Sequence, residues 1–301
     1  MGATLAVLLS AGALGAGPVS ASSGLSVVNA VGAENQYASV IAQIGGRFVH
    51  VGAVMSNPAT DPHTYEASTG VAQMIAGAQL IVQNGVGYDT FMSQLESASP
   101  NPRRQVIVVQ KLLGLALATA NPHLWYKPST MPAVAAKIEA DLAKLSPGHA
   151  SYFARRLAAF RASLVPVTRA IATFRAKFAG VKIATTEPVA DYLLTALGLV
   201  NLTPFRFQAD VMNGVDPSPE DIALQQNLFT HHRVRMLCYN AQVSSTVTIA
   251  LRTLAGQSKI PVVSFYETMP TPGYDFPSWM LAEIAALTRA LTTGASTRSL
   301  P

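Results

Sequence analysis

The stretch LSVVNAVGAENQYASVIAQIGGRFVHVGAVM, residues 25–55, decides the fold class. Residues 25–30 are mainly apolar and predict a strand, and the spacing of apolar residues over 34–44 predicts a helix that ends at Gly45-Gly46. Residues 48–55 predict a second strand. A helix between two short apolar strands is typical of a parallel βαβ unit. The stretch therefore predicts an α/β fold.

The same alternation continues along both halves of the chain. In the first half, further strands are predicted at 80–83 and 105–110, and helices at 68–78 and 88–97. In the second half, strands are predicted at 182–185, 204–208, 234–239 and 261–265, and helices at 189–197, from 216 onward, at 244–255 and at 277–291.

Residues 148–179 carry apolar side chains at helical spacing and predict one long helix, kinked at Pro166. We therefore expect two (β/α) lobes with mainly parallel sheets joined by a long backbone α-helix. The predicted boundaries are an N-terminal lobe at 22–147, the connecting helix at 148–179 and a C-terminal lobe at 180–301.

Composition narrows the class of protein. Half of the 301 residues are hydrophobic and 12% are charged, as in ordinary globular chains. The net charge of +5 comes from scattered Lys and Arg without a nucleic-acid-binding motif, so no nucleic-acid partner is expected.

The first 21 residues resemble a secretory signal peptide, because they combine an uncharged apolar core with a small-residue cleavage site. We therefore expect an exported, periplasmic or extracytoplasmic, soluble protein. No lipid anchor is expected on the mature chain, because the single cysteine, Cys238, lies in a distant apolar run that predicts a buried core residue.

Four turn-like segments each place a metal-binding type of side chain just beyond a predicted strand: His63, His123, Glu187 and Glu267. Ligands of open α/β sheets bind at the carboxyl ends of the strands, so two imidazoles and two carboxylates are expected to converge on one divalent cation. Glu187 also fits a helix cap, because Pro188 suits a first helical turn. His149, His231 and His232 are expected to be ordinary turn or surface residues.

These segments carry a resemblance to a known family. Residues 61–66 (DPHTYE), 121–125 (NPHLW) and 186–193 (TEPVADYL) resemble the first three ligand motifs of the cluster A-I solute-binding proteins, the metal-binding components of bacterial ABC importers for zinc and manganese. That family includes the ZnuA, TroA and PsaA types. The resemblance covers nearly the whole chain after the leader and implies two lobes, a backbone helix and a metal between the lobes.

Two departures from the family pattern bear on the site. Glu267 lies where the family usually has aspartate, so Asp275 is an alternative fourth ligand. Zinc-specific members usually have histidine at the position of Glu187 and a histidine-rich loop between the first two ligands, and this chain has neither. A hard carboxylate shifts preference towards Mn²⁺, so the resemblance favours Mn²⁺ slightly over Zn²⁺.

The resemblance implies a monomeric binding protein that captures a divalent metal ion as transported ligand, delivers it to an ABC permease in the membrane and is not an enzyme. Two alternatives remain: a metal-dependent hydrolase, and an adhesin-like surface protein on the same fold. Support for the ligands is expected from Asn29, Glu66, Asn84, Tyr239 or Asn240, which also lie near predicted strand ends.

Overall fold

The structure is a computed structural model that describes residues 1–2, 27–57, 65–270 and 272–300. Most of the predicted signal peptide and the predicted ligand His63 lie outside these residues.

Two four-stranded parallel sheets form the cores of two lobes, which confirms the predicted fold class. The N-terminal sheet has the order β2-β1-β3-β4, and its strands are β1 Val28–Glu34, β2 Val49–Met55, β3 Leu80–Gln83 and β4 Gln105–Val108. The C-terminal sheet has the order β6-β5-β7-β8, and its strands are β5 Lys182–Thr185, β6 Val200–Asn201, β7 Leu237–Asn240 and β8 Val262–Phe265.

Helices connect consecutive strands and cover both sheets. In the N-terminal lobe they are α1 Asn35–Gly45, α2 Thr69–Gly77, α3 Thr90–Ala98, α4 Val109–Leu112 and α5 Thr130–Leu145. Two helices, α6 Ala150–Ser163 and α7 Val165–Phe178, link the lobes. In the C-terminal lobe they are α8 Asp191–Ala196, α9 Phe205–Met212, α10 Pro219–Thr230, α11 Thr246–Gln257 and α12 Phe276–Thr293.

The predicted strand at 204–208 is wrong, because these residues begin helix α9. Phe207 and Val211 are buried at the four-residue spacing of a helix, whereas Phe205 is 44% exposed. The apolar alternation of Phe205 and Phe207 suggested a strand. The edge strand that pairs with β5 is instead the two-residue β6, which the sequence analysis did not predict.

The connecting segment is helical from Ala150 to Phe178, with a break of one residue at Leu164 that divides it into two helices of 14 residues each. Leu164 itself keeps a right-handed helical backbone conformation, so the break lies two residues before Pro166, close to the predicted kink. The two helices meet at Leu164, and Pro166 lies in the first turn of α7, where its missing N–H group leaves no hydrogen bond unmade. By length and composition alone, Pro147–Phe178 is apolar enough to cross a membrane. Only 17% of its most apolar window is buried, and Phe153, Phe160 and Phe174 are the phenylalanines of this segment that lie in the main core.

The largest hydrophobic core contains side chains from both lobes, among them Trp125 from the N-terminal lobe and Trp279 from α12. Tyr126 packs its ring against Trp279, with ring centroids 5.4 Å apart, and its hydroxyl donates to the backbone carbonyl of Tyr266 at 2.9 Å. The lobes therefore meet through a packed, hydrogen-bonded interface that leads directly to the segment following β8.

Glu283 is a fully buried acid within this shared core. Its Oε1 accepts hydrogen bonds from Trp279 Nε1 at 3.0 Å and from the Tyr126 hydroxyl at 3.3 Å, while its Oε2 has no hydrogen-bond partner among the described residues. Burial raises the pKa of Glu283 well above its ordinary value. The protonated carboxyl is therefore the form that the fold favours.

We expect Glu283→Gln to become more stable relative to the original protein as pH rises. The folded-state pKa lies above the unfolded-state pKa, so the stabilising contribution is present at acidic pH and is lost as pH rises through the folded-state pKa. Glutamine mimics the neutral acid at every pH. The free energy of unfolding of Glu283→Gln, relative to that of the original protein, should therefore be roughly 1–3 kcal/mol higher at pH 8 than at pH 5. Urea unfolding of metal-free protein measures it, with the exposed Glu220→Gln as control; parallel pH profiles for all three proteins would contradict the prediction.

Candidate metal centre

The candidate site lies where the carboxyl ends of the strands of both sheets face the lobe interface. His123 follows the turn Asn121-Pro122 and precedes a short 3-10 helix, Leu124–Tyr126. Glu187 comes two residues after β5, and Glu267 two residues after β8. All three predicted side chains are buried, at 0%, 3% and 0% exposure respectively. Ionised carboxylates are costly to bury unless a cation or hydrogen bonds compensate them.

Asn121 fixes the orientation of the His123 ring. Its Oδ1 accepts from the His123 backbone N–H at 3.0 Å, which identifies that atom as the amide oxygen, and the same oxygen lies 2.8 Å from His123 Nδ1. Nδ1 must then carry the ring proton and donate it, because the amide oxygen is only an acceptor. In the neutral ring, Nε2 is left with a free lone pair, the arrangement common to metal-binding histidines.

Glu267 is held by side chains from both lobes. The Tyr88 hydroxyl donates to its Oε2 at 2.8 Å, and Asn240 Nδ2 donates to its Oε1 at 2.6 Å. Both side chains donate to the carboxylate, one to each oxygen, and together they restrict its rotation. Asn240 was among the expected supporting residues, and it does contact a predicted ligand. Tyr88 was missed, because it precedes α3 and nothing in its local sequence links it to Glu267.

His123 and Glu267 meet directly, with Nε2 and Oε2 3.3 Å apart. Apart from this close approach, Nε2 makes no hydrogen bond with any described residue. Two ligands of one ion, each about 2.1 Å from it and about 90–110° apart, would be separated by roughly 3.0–3.4 Å. The observed separation therefore suits two ligands of a shared cation.

Glu187 lies beside the His123 turn, because Asn121 contacts both segments. Asn121 Nδ2 donates to the carbonyl of Pro188 at 2.7 Å, and the Tyr192 hydroxyl donates to the carbonyl of Asn121 at 3.0 Å. Within the described residues, no group of three or more His, Cys, Asp and Glu side chains is arranged to hold a metal ion. The structure thus brings His123 and Glu267 into contact and places Glu187 on an adjoining segment, while the position of His63 is outside the description.

Asp275, the alternative fourth ligand, is an exposed N-cap residue of α12. Its Oδ1 accepts from the backbone N–H of Ser278 at 3.0 Å in a capping box. A cap of this kind satisfies a free N–H group of the first helical turn. The geometry therefore favours Glu267 over Asp275 as the acidic group at the site.

The remaining expected supporting residues divide into two groups. Asn84 contacts the His123 turn, since its Nδ2 donates to the carbonyl of Pro122 at 2.8 Å. Asn29 and Glu66 are exposed, and Tyr239 packs under Arg252 in the C-terminal lobe rather than against a predicted ligand.

A second buried acid, Glu34, lies at the end of β1 next to this region. Both of its carboxylate oxygens lack a hydrogen-bond partner among the described residues. Burial, and then the nearby charge of Asp89, raise its pKa well above its ordinary value. Burial likewise raises the pKa of Asp89 to about 6, against hydrogen bonds from the backbone of Gly85 and Asn84. The sequence analysis placed Glu34 at a helix start and did not recognise it as a buried acid.

The amino-acid sequence matches a known protein family over most of its length. The sequence profile of the family described as "ZnuA: Zinc-uptake complex component A periplasmic" matches residues 31–290. The chain belongs to this family. The resemblance inferred from the motifs at 61–66, 121–125 and 186–193 is thereby confirmed.

Individual relatives of this ZnuA-family chain include zinc- and manganese-binding proteins. It is 30% identical over 132 residues to "Zinc-binding protein TroA" of Treponema pallidum, a match that covers 42% of each chain. It is 26% identical over 136 residues to "Manganese-binding lipoprotein MntA" of Bacillus subtilis, which covers 43% of this chain and 44% of MntA. The matched stretches thus span less than half the length of these two relatives.

Solved structures of ZnuA-family proteins and their neighbours show the same fold over a longer stretch. The periplasmic zinc-binding protein TroA from Treponema pallidum aligns with a TM-score of 0.74 at 20% identity, covering 88% of this chain and 99% of that one. FpvC from Pseudomonas aeruginosa in complex with Mn²⁺ aligns with a TM-score of 0.71 at 20% identity, covering 88% and 98%. At this identity, the likeness shows the two-lobed fold.

Proposed function

We propose that the protein captures a divalent transition-metal ion between its lobes, using His63, His123, Glu187 and Glu267 as ligands. The observation that carries the proposal is the buried approach of His123 Nε2 to Glu267 Oε2 at 3.3 Å. Two imidazoles and two carboxylates would cancel the charge of a divalent cation. Membership of the ZnuA family also supports capture of a divalent metal ion.

The role that follows is that of an extracytoplasmic solute-binding protein, which would act as a monomer and deliver its metal to an ABC permease in the membrane. TroA and MntA, by their names, bind zinc and manganese respectively, and both metals are therefore candidates for this chain. We place Mn²⁺ slightly ahead of Zn²⁺, because two hard carboxylates accompany the two imidazoles. The family match favours neither the hydrolase nor the adhesin.

Metal stoichiometry and competition test this proposal. Purified metal-free protein should bind one equivalent of Mn²⁺ or Zn²⁺ in calorimetry. Each metal should also raise the unfolding temperature, by an amount that grows with the logarithm of the ratio of metal concentration to dissociation constant. A competition series with both metals then ranks them. Absence of stoichiometric binding for either ion would contradict the proposal, and Ca²⁺ and Mg²⁺ serve as controls because they bind chiefly oxygen ligands.

A further inference from the structure

We propose that Asn35 and Gln36 are positioning residues that hold the Glu267 segment from the opposite lobe and thereby slow metal release. This inference rests on the proposed function. The two residues open helix α1 in the N-terminal lobe, whereas Glu267 follows β8 in the C-terminal lobe.

Asn35 makes a two-point contact with the backbone of Met269. Its Nδ2 donates to the Met269 carbonyl at 2.8 Å, and the Met269 N–H donates to its Oδ1 at 2.9 Å. Gln36 Nε2 donates to the carbonyl of Glu267 itself at 3.1 Å. Asn35 is 6% exposed and Gln36 is fully buried, so water does not readily replace these bonds.

The C-terminal lobe holds the same segment through other backbone groups. Gln242 Oε1 accepts from the N–H groups of Glu267 and Thr268, the latter at 2.7 Å. Both lobes therefore hydrogen-bond to the backbone of the three-residue segment 267–269. The N–H groups of Glu267 and Thr268 bond to the C-terminal lobe, whereas the carbonyls of Glu267 and Met269 and the N–H of Met269 bond to the N-terminal lobe.

The His123 turn has the reciprocal arrangement. It belongs to the N-terminal lobe, and Asn121 and Tyr192 tie it to the C-terminal lobe through the bonds described above. The segment that carries each of the two contacting ligands is thus hydrogen-bonded to the opposite lobe as well as to its own. Moving the lobes apart would break both sets of bonds and separate Nε2 of His123 from Oε2 of Glu267. Groups that orient ligands in this way commonly alter metal affinity by about 10–100-fold when removed.

The test measures the rate at which bound metal is lost to excess chelator from Asn35→Ala and Gln36→Ala variants of the full chain. Ser39→Ala is the matched control: Ser39 lies on the same helix and accepts a cross-lobe hydrogen bond from the Phe276 N–H at 3.2 Å, but it does not contact residues 267–269. We expect release to accelerate roughly 10–100-fold in the first two variants and less than about 3-fold in Ser39→Ala. Equal acceleration in all three would overturn the positioning role, because general lobe adhesion would then explain it.

Two further measurements distinguish a failure of the positioning role from a failure of the proposed metal-binding function. Asn35→Asp keeps an acceptor for the Met269 N–H but sets a buried carboxylate oxygen against the Met269 carbonyl, so its metal release should be at least as fast as that of Asn35→Ala. Hydrogen exchange of the Met269 amide in metal-free protein should accelerate in Asn35→Ala but not in Ser39→Ala. Unchanged exchange would refute the contact, whereas a protein that binds no metal yet shows this exchange difference would refute only the proposed function.

Discussion

Replacing His123 with alanine is expected to lower metal affinity by roughly 1,000-fold or more, beyond the 10–100-fold typical of groups outside the coordination sphere. The change removes the nitrogen that faces Glu267 Oε2 at 3.3 Å, and with it one of the proposed metal ligands. Competition with a chromophoric chelator measures the affinity of each metal.

The matched control for this variant is His231→Ala. His231 is exposed just after α10, and within the part of the chain that the structure describes its ring hydrogen-bonds with Thr230 and Asn227. The His231→Ala variant should bind metal with the affinity of the original protein. An affinity of His123→Ala within about 3-fold of the original would remove His123 from the ligand set, provided that circular dichroism shows both variants folded.

Glu267→Gln is expected to lower metal affinity by roughly 100- to 1,000-fold and to remove most of the metal-induced stabilisation. Glutamine has the same shape, but it carries no charge and offers one oxygen in place of two. It can therefore accept from Tyr88 or from Asn240, but not from both. Thermal unfolding with and without metal measures the effect.

Glu220→Gln is the control for the charge itself, because its side chain is 83% exposed and 3.9 Å from the nearest guanidinium nitrogen. It should keep the full metal-induced shift. If Glu267→Gln keeps that shift as well, then Glu267 is a structural hydrogen-bond acceptor rather than a ligand.

Much of the fold was predictable because strong local signals marked the buried strands. Residues 80–83 and 182–185 are short apolar runs next to glycine or polar residues, and the structure has strands with those same bounds. Helix α12 was predicted to within two residues at each end, since Pro277 and Gly294 lie in the positions that favour a helix start and a helix end.

Where prediction failed, tertiary contacts outweighed local pattern. Phe205 and Phe207 alternate as in a strand, but Phe207 packs into the C-terminal core as part of a helix.

The sequence predicted which residues are candidate metal ligands, but it did not predict most of the residues that hydrogen-bond to them. His123 and Glu267 stood out because a polar residue follows each apolar run or turn. Tyr88 lies 179 residues from Glu267, and Asn35 lies 234 residues from Met269, so no local periodicity links them. Only the packing of one lobe on the other brings these groups together.

The most direct test of the central claim is an anomalous-diffraction map of crystals grown with Mn²⁺ or Zn²⁺. The account predicts one strong peak between the lobes, about 2.0–2.2 Å from both His123 Nε2 and a carboxylate oxygen of Glu267. A bound ion that contacts neither residue, or crystals of metal-saturated protein with no peak at the lobe interface, would contradict it.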